Sequence, residues 1–348
     1  MKTFRDFALI SAFLTLSIYA FSQKSPGRGA WLIGGNAQLS HNLKAEDQNF
    51  FLSPAANVGY FISDHWLAGI DVFSYYSQSF VGSYNTYISL RPFARYYFGT
   101  TERQWRPFLQ SGAGWTRADF RFNNITQDAT AYSANLAGGA AYFITPDLSL
   151  QGTLGYFGNF GEGRPQHDVL YGLSIQTYFS RRSEEDKAQN MPFLDKGAWQ
   201  IGLSGDGGIV NIGVTDDLYA SIRPSAAYFL ANNFALGGAL TFARAQGNRI
   251  LELEPFARYY FRGDNPRLMP VAEVGGGIRF QFADDREDPN FVNINFKAGA
   301  GLAWFLRPNI ALEGLFYFSS FRLEDEDRFN SRFVDFQVGF QYFLQPRK

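Results

Sequence analysis

The sequence contains no cysteine, three histidines and three methionines among its 348 residues. The lack of cysteine excludes a disulfide scaffold, a thiol nucleophile, a thiolate metal site and a lipoprotein anchor. The three histidines do not stand in HExxH or any other zinc-ligand spacing, and no Walker loop is present. An excess of one charge is missing too. Lys and Arg number 31 and Asp and Glu 32, a net charge of -1 that favours neither nucleic acid nor an anionic surface as partner. Beyond the first 22 residues no apolar run reaches the ~18 residues that mark a membrane-crossing helix. Mean hydropathy is -0.20, a value close to that of a soluble protein and equally that of a membrane barrel whose every second residue faces a polar interior.

Residues 1–22 carry positive charge at Lys2 and Arg5, an apolar run from Phe7 to Phe21, and small residues at Ala20 and Ser22. This is the pattern of a secretory signal peptide, with cleavage expected after Ser22. What the remaining chain has in abundance is aromatic residues, 18% overall with 37 Phe and 19 Tyr.

The chain also repeats itself. Leu90-Arg91-Pro92-Phe93-Ala94-Arg95-Tyr96-Tyr97-Phe98 returns as Leu253-Glu254-Pro255-Phe256-Ala257-Arg258-Tyr259-Tyr260-Phe261, in agreement at eight of nine positions. Gly29-Ala30-Trp31 returns as Gly197-Ala198-Trp199, and Phe143-Ile144-Thr145-Pro146 matches Phe305-Leu306-Arg307-Pro308. The order is kept throughout, as in a tandem duplication. The expected divisions are a signal peptide over 1–22, a first unit over 23–180, a charged linker over 181–195 and a second unit over 196–348.

Within each unit the residues alternate with period two between turn signals, which predicts about eight strands per unit. Val334, Phe336, Val338, Phe340 and Tyr342 share one face of the last run, while Asp335, Gln337, Gly339 and Gln341 share the other. Three features predict that the apolar face looks outward to lipid. The runs are longer than the ~5 to 6 residues of an average soluble strand and match the ~9 to 11 of a tilted membrane strand. Aromatic residues gather at one end of the apolar face at Tyr60, Trp66, Tyr96, Phe98 and Tyr142, echoed by Tyr228, Phe234, Tyr259, Phe261 and Trp304, as in an interfacial girdle. The polar face mixes Gly, Ala and Ser with isolated charges, as a narrow lumen would. Short turns such as Ile62 to His65, Thr145 to Asp147, Ala231 to Asn233 and Arg307 to Asn309 are expected on the periplasmic side. His41 to Asn49, Asn123 to Thr130, Ala283 to Asn290 and Leu323 to Arg332 are expected as outer loops.

On strand pattern, girdles and an aromatic final strand (Phe336, Phe340, Tyr342, Phe343), both units resemble the small outer-membrane barrels of Gram-negative bacteria, the OmpA transmembrane-domain and OmpX class. The resemblance covers Gly29 to Phe179 and Gly197 to Phe343, with departures in the doubling and in five residues after the last aromatic. It implies an all-β transmembrane antiparallel up-and-down barrel in the outer membrane, with lipid and lipopolysaccharide as surroundings and the barrel-assembly machinery as partner. Two tandem eight-stranded barrels and one sixteen-stranded barrel share these patterns. Large residues on the inward face (Phe51, Phe61, Phe93, Tyr97, Phe108, Phe256, Tyr260, Tyr317) favour two narrow barrels, since a wide channel has no use for them.

The predicted lumen charges are Arg91 and Arg95 in the first unit and Arg223, Glu252, Glu254, Arg258, Glu273, Arg279, Lys297, Glu313 and Asp335 in the second. Charges there must pair, because each unpaired one is costly. Gln110 and Gln151 replace Glu273 and Glu313, so the first lumen is less acidic. Clustered carboxylates at Asp284, Asp285, Glu287, Asp288, Glu324, Asp325, Glu326 and Asp327 suit divalent cations or simply solvated loops. Ser40-His41 and His167-Asp168 would become neighbours at the outer rim if the first unit closes on itself, a grouping usable in nucleophilic catalysis. No cofactor is called for, and no motif identifies a reaction. Three roles stand open: a plugged structural or surface-contact barrel for an unknown ligand, a porin-like channel for small solutes, and a lipid A-modifying enzyme.

Overall fold

The computed structural model describes residues 25–42, 50–78, 83–122, 125–161, 166–180, 192, 194–203, 210–211, 219–245, 248–283, 291–323 and 330–345. Every element among them is a β-strand. The first unit runs β1 (Trp31–Asn42), β2 (Phe50–Phe61), β3 (Trp66–Gln78), β4 (Tyr84–Tyr97), β5 (Trp105–Phe122), β6 (Ile125–Thr145), β7 (Leu148–Gly161) and β8 (Gln166–Phe179). In the second, β9 (Trp199–Leu203) with β10 (Val210–Asn211), and β11 (Tyr219–Ile222) with β12 (Pro224–Ala231), make the first two wall positions. β13 (Phe234–Ala245), β14 (Asn248–Tyr260), β15 (Leu268–Ala283), β16 (Phe291–Arg307), β17 (Ile310–Leu323) and β18 (Asn330–Leu344) complete them. All pairings are antiparallel, and most join sequence neighbours, as up-and-down connection by short turns requires.

Each unit closes on itself at the short-turn end. Trp31–Ile33 of β1 pair with Thr177–Phe179 of β8, and Trp199–Gly202 of β9 pair with Gln341–Leu344 of β18. The chain therefore forms two eight-stranded antiparallel barrels in tandem. The alternation read from the sequence sets their walls: Phe61, Leu67, Tyr97 and Phe108 are buried inside, while Tyr60, Trp66, Leu90 and Leu109 on the same strands are exposed outside. The exposed rings Trp31, Trp66, Trp105, Trp199, Tyr259, Phe261 and Trp304 lie at the short-turn end of both barrels.

Away from that end the barrels are joined. β1 leaves β8 after Ile33 and pairs with β18 from Asn36↔Gly339 to Asn42↔Phe333. The change occurs at Gly35, whose φ of +136° is one that side-chain-bearing residues rarely adopt, and whose missing Cβ would run into the Ala55 carbonyl. The exchange preserves register. Trp31↔Phe179 in one unit corresponds to Trp199↔Leu344 in the other, so Ser174 and Gly339, five residues before those partners, are equivalent, and Asn36 faces Gly339 where continued pairing with β8 would set Ser174. β10 in turn lies against β8.

The joined barrels also meet through outward faces. Leu148, Ile310 and Tyr342 form one buried cluster, with Ile144, Ile175, Phe179, Phe340 and Leu344 packed around it. Tyr342, expected on the lipid face, is buried here, its hydroxyl within 2.6 Å of Thr145 Oγ1 and accepting from Asn309 Nδ2 at 2.9 Å. Arg307 pairs with Asp147, donates to the Ser180 carbonyl at 2.6 Å, and covers the Phe179 ring. Leu148 and Ile310 hold equivalent positions in the repeat, so like surfaces meet, as across a two-fold axis.

One expected loop is strand instead. β5 and β6 pair out to Phe122↔Ile125, so of the expected loop Asn123 to Thr130 the residues from Ile125 to Thr130 are strand, and Asn123 and Asn124 lie outside the described residues. β-branched Ile125, Thr126 and Thr130 keep alternation going there, and polarity alone was a poor guide. Residues 1–24, 181–191, the acidic stretches 284–290 and 324–329, and the loop residues 43–49 lie outside the described residues. The eight acidic residues Asp284, Asp285, Glu287, Asp288, Glu324, Asp325, Glu326 and Asp327 fall among them.

Candidate functional site

The lumen of each barrel ends in a floor at the short-turn end. In the first barrel β2, β4, β6 and β8 bring Phe61, Tyr97, Phe143 and Tyr178 together, all fully buried. Phe61 and Tyr97 stack with centroids 5.4 Å apart, and Phe143 and Tyr178 stand at 5.5 Å. Phe93 has room because Gly69 faces it: a Cβ there would sit 2.6 Å from the ring tip. In the second barrel Phe229, Tyr260, Phe305 and Phe343 take these places, with Leu194 and Met269 packed in.

The chain entering each barrel completes its floor. Ser25 donates its amide to the Thr101 carbonyl at 2.6 Å and its hydroxyl to the same oxygen at 3.0 Å. Arg106, fully buried, donates to Ser25 Oγ at 3.2 Å, to the Pro26 carbonyl at 3.0 Å and to the Asp64 carbonyl, with its guanidinium 4.9 Å from the Tyr97 ring centre. In the second barrel the equivalent entry is apolar. Leu194 is buried, and its carbonyl accepts from the Asn233 amide at 2.8 Å in a turn where Asn233 takes a φ of 66°. Arg106 had been missed in the sequence, although it precedes Phe108 and Gln110 on the inward parity of the same strand. Arg307 ends β16 just past a shift of register and Asp147 sits in a short turn, so no periodicity marks either residue.

Above each floor lies one buried arginine. Arg258 donates from Nε to Glu273 Oε2 at 2.8 Å and from Nη1 to Glu313 Oε2 at 2.8 Å, and its Nη2 also meets Glu273. Tyr260 donates to Glu313 Oε1 at 2.6 Å and Tyr317 to Glu273 Oε1 at 3.1 Å. Lys297 bridges Glu254 and Glu273, the latter at 2.9 Å, and Arg223 reaches Glu254 at 2.9 Å. A further group sets Arg279 on Glu252 at 2.9 Å with Asn295 beside it, and Asp335 accepts from Ser319 Oγ at 2.6 Å. Each carboxylate named in the second lumen thus has a donor, as charges away from water require.

Arg95 of the first barrel has neutral partners. It donates to Gln110 Oε1 at 2.8 and 2.6 Å, to Gln151 Oε1 at 2.8 Å and to Tyr97 Oη at 2.9 Å, and it lies 4.3 Å over the Phe108 ring centre. Cation–π attraction and amide oxygens stand in for carboxylates. Arg91 faces Asp71 at 3.4 Å, and Asn57 donates to the same carboxylate. Higher in this lumen, Asn57 Oδ1, Asn135 Oδ1, Asn159 Oδ1 and Gln176 Oε1 are buried without a protein partner, positions suited to bound water.

The outer-rim pair does not assemble. Ser40 and His41 stand opposite Asp335 and Val334 of β18, while His167 and Asp168 pair with Gly158 and Phe157 of β7. His167 is exposed, with Nδ1 on the Tyr156 hydroxyl and its ring stacked on Tyr156 at 5.8 Å. Among the described residues no group of His, Asp or Glu is placed to hold a metal ion.

Two barrels with apolar exteriors, an aromatic belt and polar, sealed interiors define a transmembrane β-barrel architecture, the fold of the small outer-membrane barrels in duplicate. No protein-family model matches this sequence, and no curated protein is significantly similar to it. Among solved structures the chain is similar to the N-terminal β-barrel domain of Pseudomonas aeruginosa OprF, at 19% identity and a TM-score of 0.28 over 44% of this chain and 100% of that one. It is also similar to Neisserial surface protein A, at 16% identity and a TM-score of 0.29 over 44% of this chain and 100% of the other. The CymD monoaromatic hydrocarbon channel aligns over 93% of this chain and 90% of its own, at 9% identity and a TM-score of 0.38.

Proposed function

We propose that this chain is an exported integral outer-membrane protein whose two barrels act as non-conducting anchors, presenting their outer rims for envelope integrity or surface contact. The observation that carries this reading is the pair of floors. In each barrel fully buried rings close the short-turn end, the entering chain packs beneath them, and a buried arginine network lies above. A solute path would have to break buried hydrogen bonds to Arg95 or ion pairs to Arg258, at a cost of about 3–5 kcal/mol for a buried pair. A small barrel filled by side chains leaves no aqueous bore.

The test is conductance of the purified full-length protein in planar lipid bilayers. The expected record has no steady openings of porin size across the usual voltage range. Steady openings of that size would replace this reading with the channel. Cell-surface labelling of residues in the outer loops, against none in the short turns, tests the orientation.

A further inference from the structure

We infer that the waist between the two barrels is a binding site for one acyl chain of a membrane phospholipid. Where β1 passes from the first barrel to β18 of the second, the outer surface folds inward into a groove of about 280 Å³. Gly35, Ala56 and Val72 line one side, and Leu312, Val338 and Phe340 the other. All six lie on the outward parity of their strands, level with lipid-facing residues such as the exposed Ile70. The groove exists because Gly35 has no side chain and because Ala56 opposite it is small.

The occupant follows from the surroundings, on the reading that the exterior is embedded in a membrane. The groove continues the apolar contact between the barrels, since Phe340 both lines it and packs on the Leu148, Ile310 and Tyr342 cluster. Ser74 supplies the only side-chain hydroxyl in the lining, so neither a headgroup nor the roughly nine waters such a volume could hold would find partners. Four residues along β2 from Ala56 stands Tyr60, in contact with Trp31 at the aromatic belt, about 13 Å away. A phospholipid with its headgroup at that belt lays a tail into the groove, where it fills the waist and touches both barrels at once.

Native mass spectrometry of the full chain, extracted from membranes in mild detergent, tests this. Wild type is expected to carry one phospholipid per chain, and Ala56→Trp, which fills the groove, to lose it. Val72→Phe should lower the occupancy, and it serves if Ala56→Trp does not fold, judged by the gel mobility shift of folded barrels on heating. A lipid-free wild type, or folded variants that retain lipid as wild type does, would overturn the assignment. So would a wild-type dimer abolished by Ala56→Trp, since a second copy would then fill the groove. Release of the wild-type chain from membranes by alkaline carbonate would instead strike at the membrane reading itself.

Discussion

Arg95 and Arg258 occupy the same place in the repeated strand, point into equivalent lumens above equivalent aromatic floors, and are buried to the same degree. Their partners differ by two atoms' worth of chemistry. Glu273 and Glu313 stand around Arg258 where Gln110 and Gln151 stand around Arg95, with nearly the same donor–acceptor distances. Around Arg258 the second carboxylate charge is balanced by Lys297, and Glu254 by Lys297 and Arg223. Around Arg95 no such compensation is needed, because amides bring no charge, and the ring of Phe108 takes up part of the guanidinium's field. The same geometry can therefore be built from an ionic network or from a neutral one. The two differ in what happens when a member is lost.

The comparison can be broken most sharply at the junction. The chain lacks cysteine, so a double substitution reports one contact alone. Asn36→Cys with Gly339→Cys should oxidise almost completely, since directly opposed residues of antiparallel strands lie ~4.5 to 5.5 Å apart at Cα, within disulfide reach. Asn36→Cys with Ser174→Cys should not. Gel mobility under non-reducing conditions reads both, and efficient cross-linking of the second pair would mean that the first barrel closes along its whole height.

The arginines come next. Arg258→Ala strands two buried carboxylates and should cost about 3–5 kcal/mol, whereas Arg95→Ala leaves neutral amides and should cost about 1–3 kcal/mol. Urea unfolding of the whole chain in lipid vesicles measures both, and equal losses would remove the distinction between an ionic and a neutral network. The smallest effect is at the tyrosines. Tyr260 donates to an ionised partner and Tyr178 shares its hydroxyl with Tyr97, Ser149 and Gln151. Tyr260→Phe should cost about 1.5–3 kcal/mol and Tyr178→Phe about 0.5–1.5 kcal/mol in the same titration.

Much of the candidate site is legible in the sequence. Inward parity placed Arg95, Arg258, Glu273 and Glu313 in the lumens, because a strand's side-chain direction alternates whatever its partner. The pairing of Lys297 with both Glu254 and Glu273 was not legible, because it joins β14, β15 and β16 across the lumen at a height that depends on strand stagger. Arg307 with Asp147, and the burial of Tyr342, were hidden for a different reason. They belong to a contact between outward faces, and an outward apolar face looks the same in sequence whether it meets lipid or another barrel.

The walls of this protein were determined by sequence alone: period two, the aromatic belt and the repeat are local or self-referential signals, and each survives in the folded chain. The partner of β1 was decided only by tertiary structure. β8 and β18 present the same outward apolar alternation and the same register opposite β1, so that pattern does not prefer one over the other. What separates them is the turn of the backbone at Gly35 and the packing of the two barrels around Leu148, Ile310 and Tyr342, both of which come into being only when the whole chain is assembled.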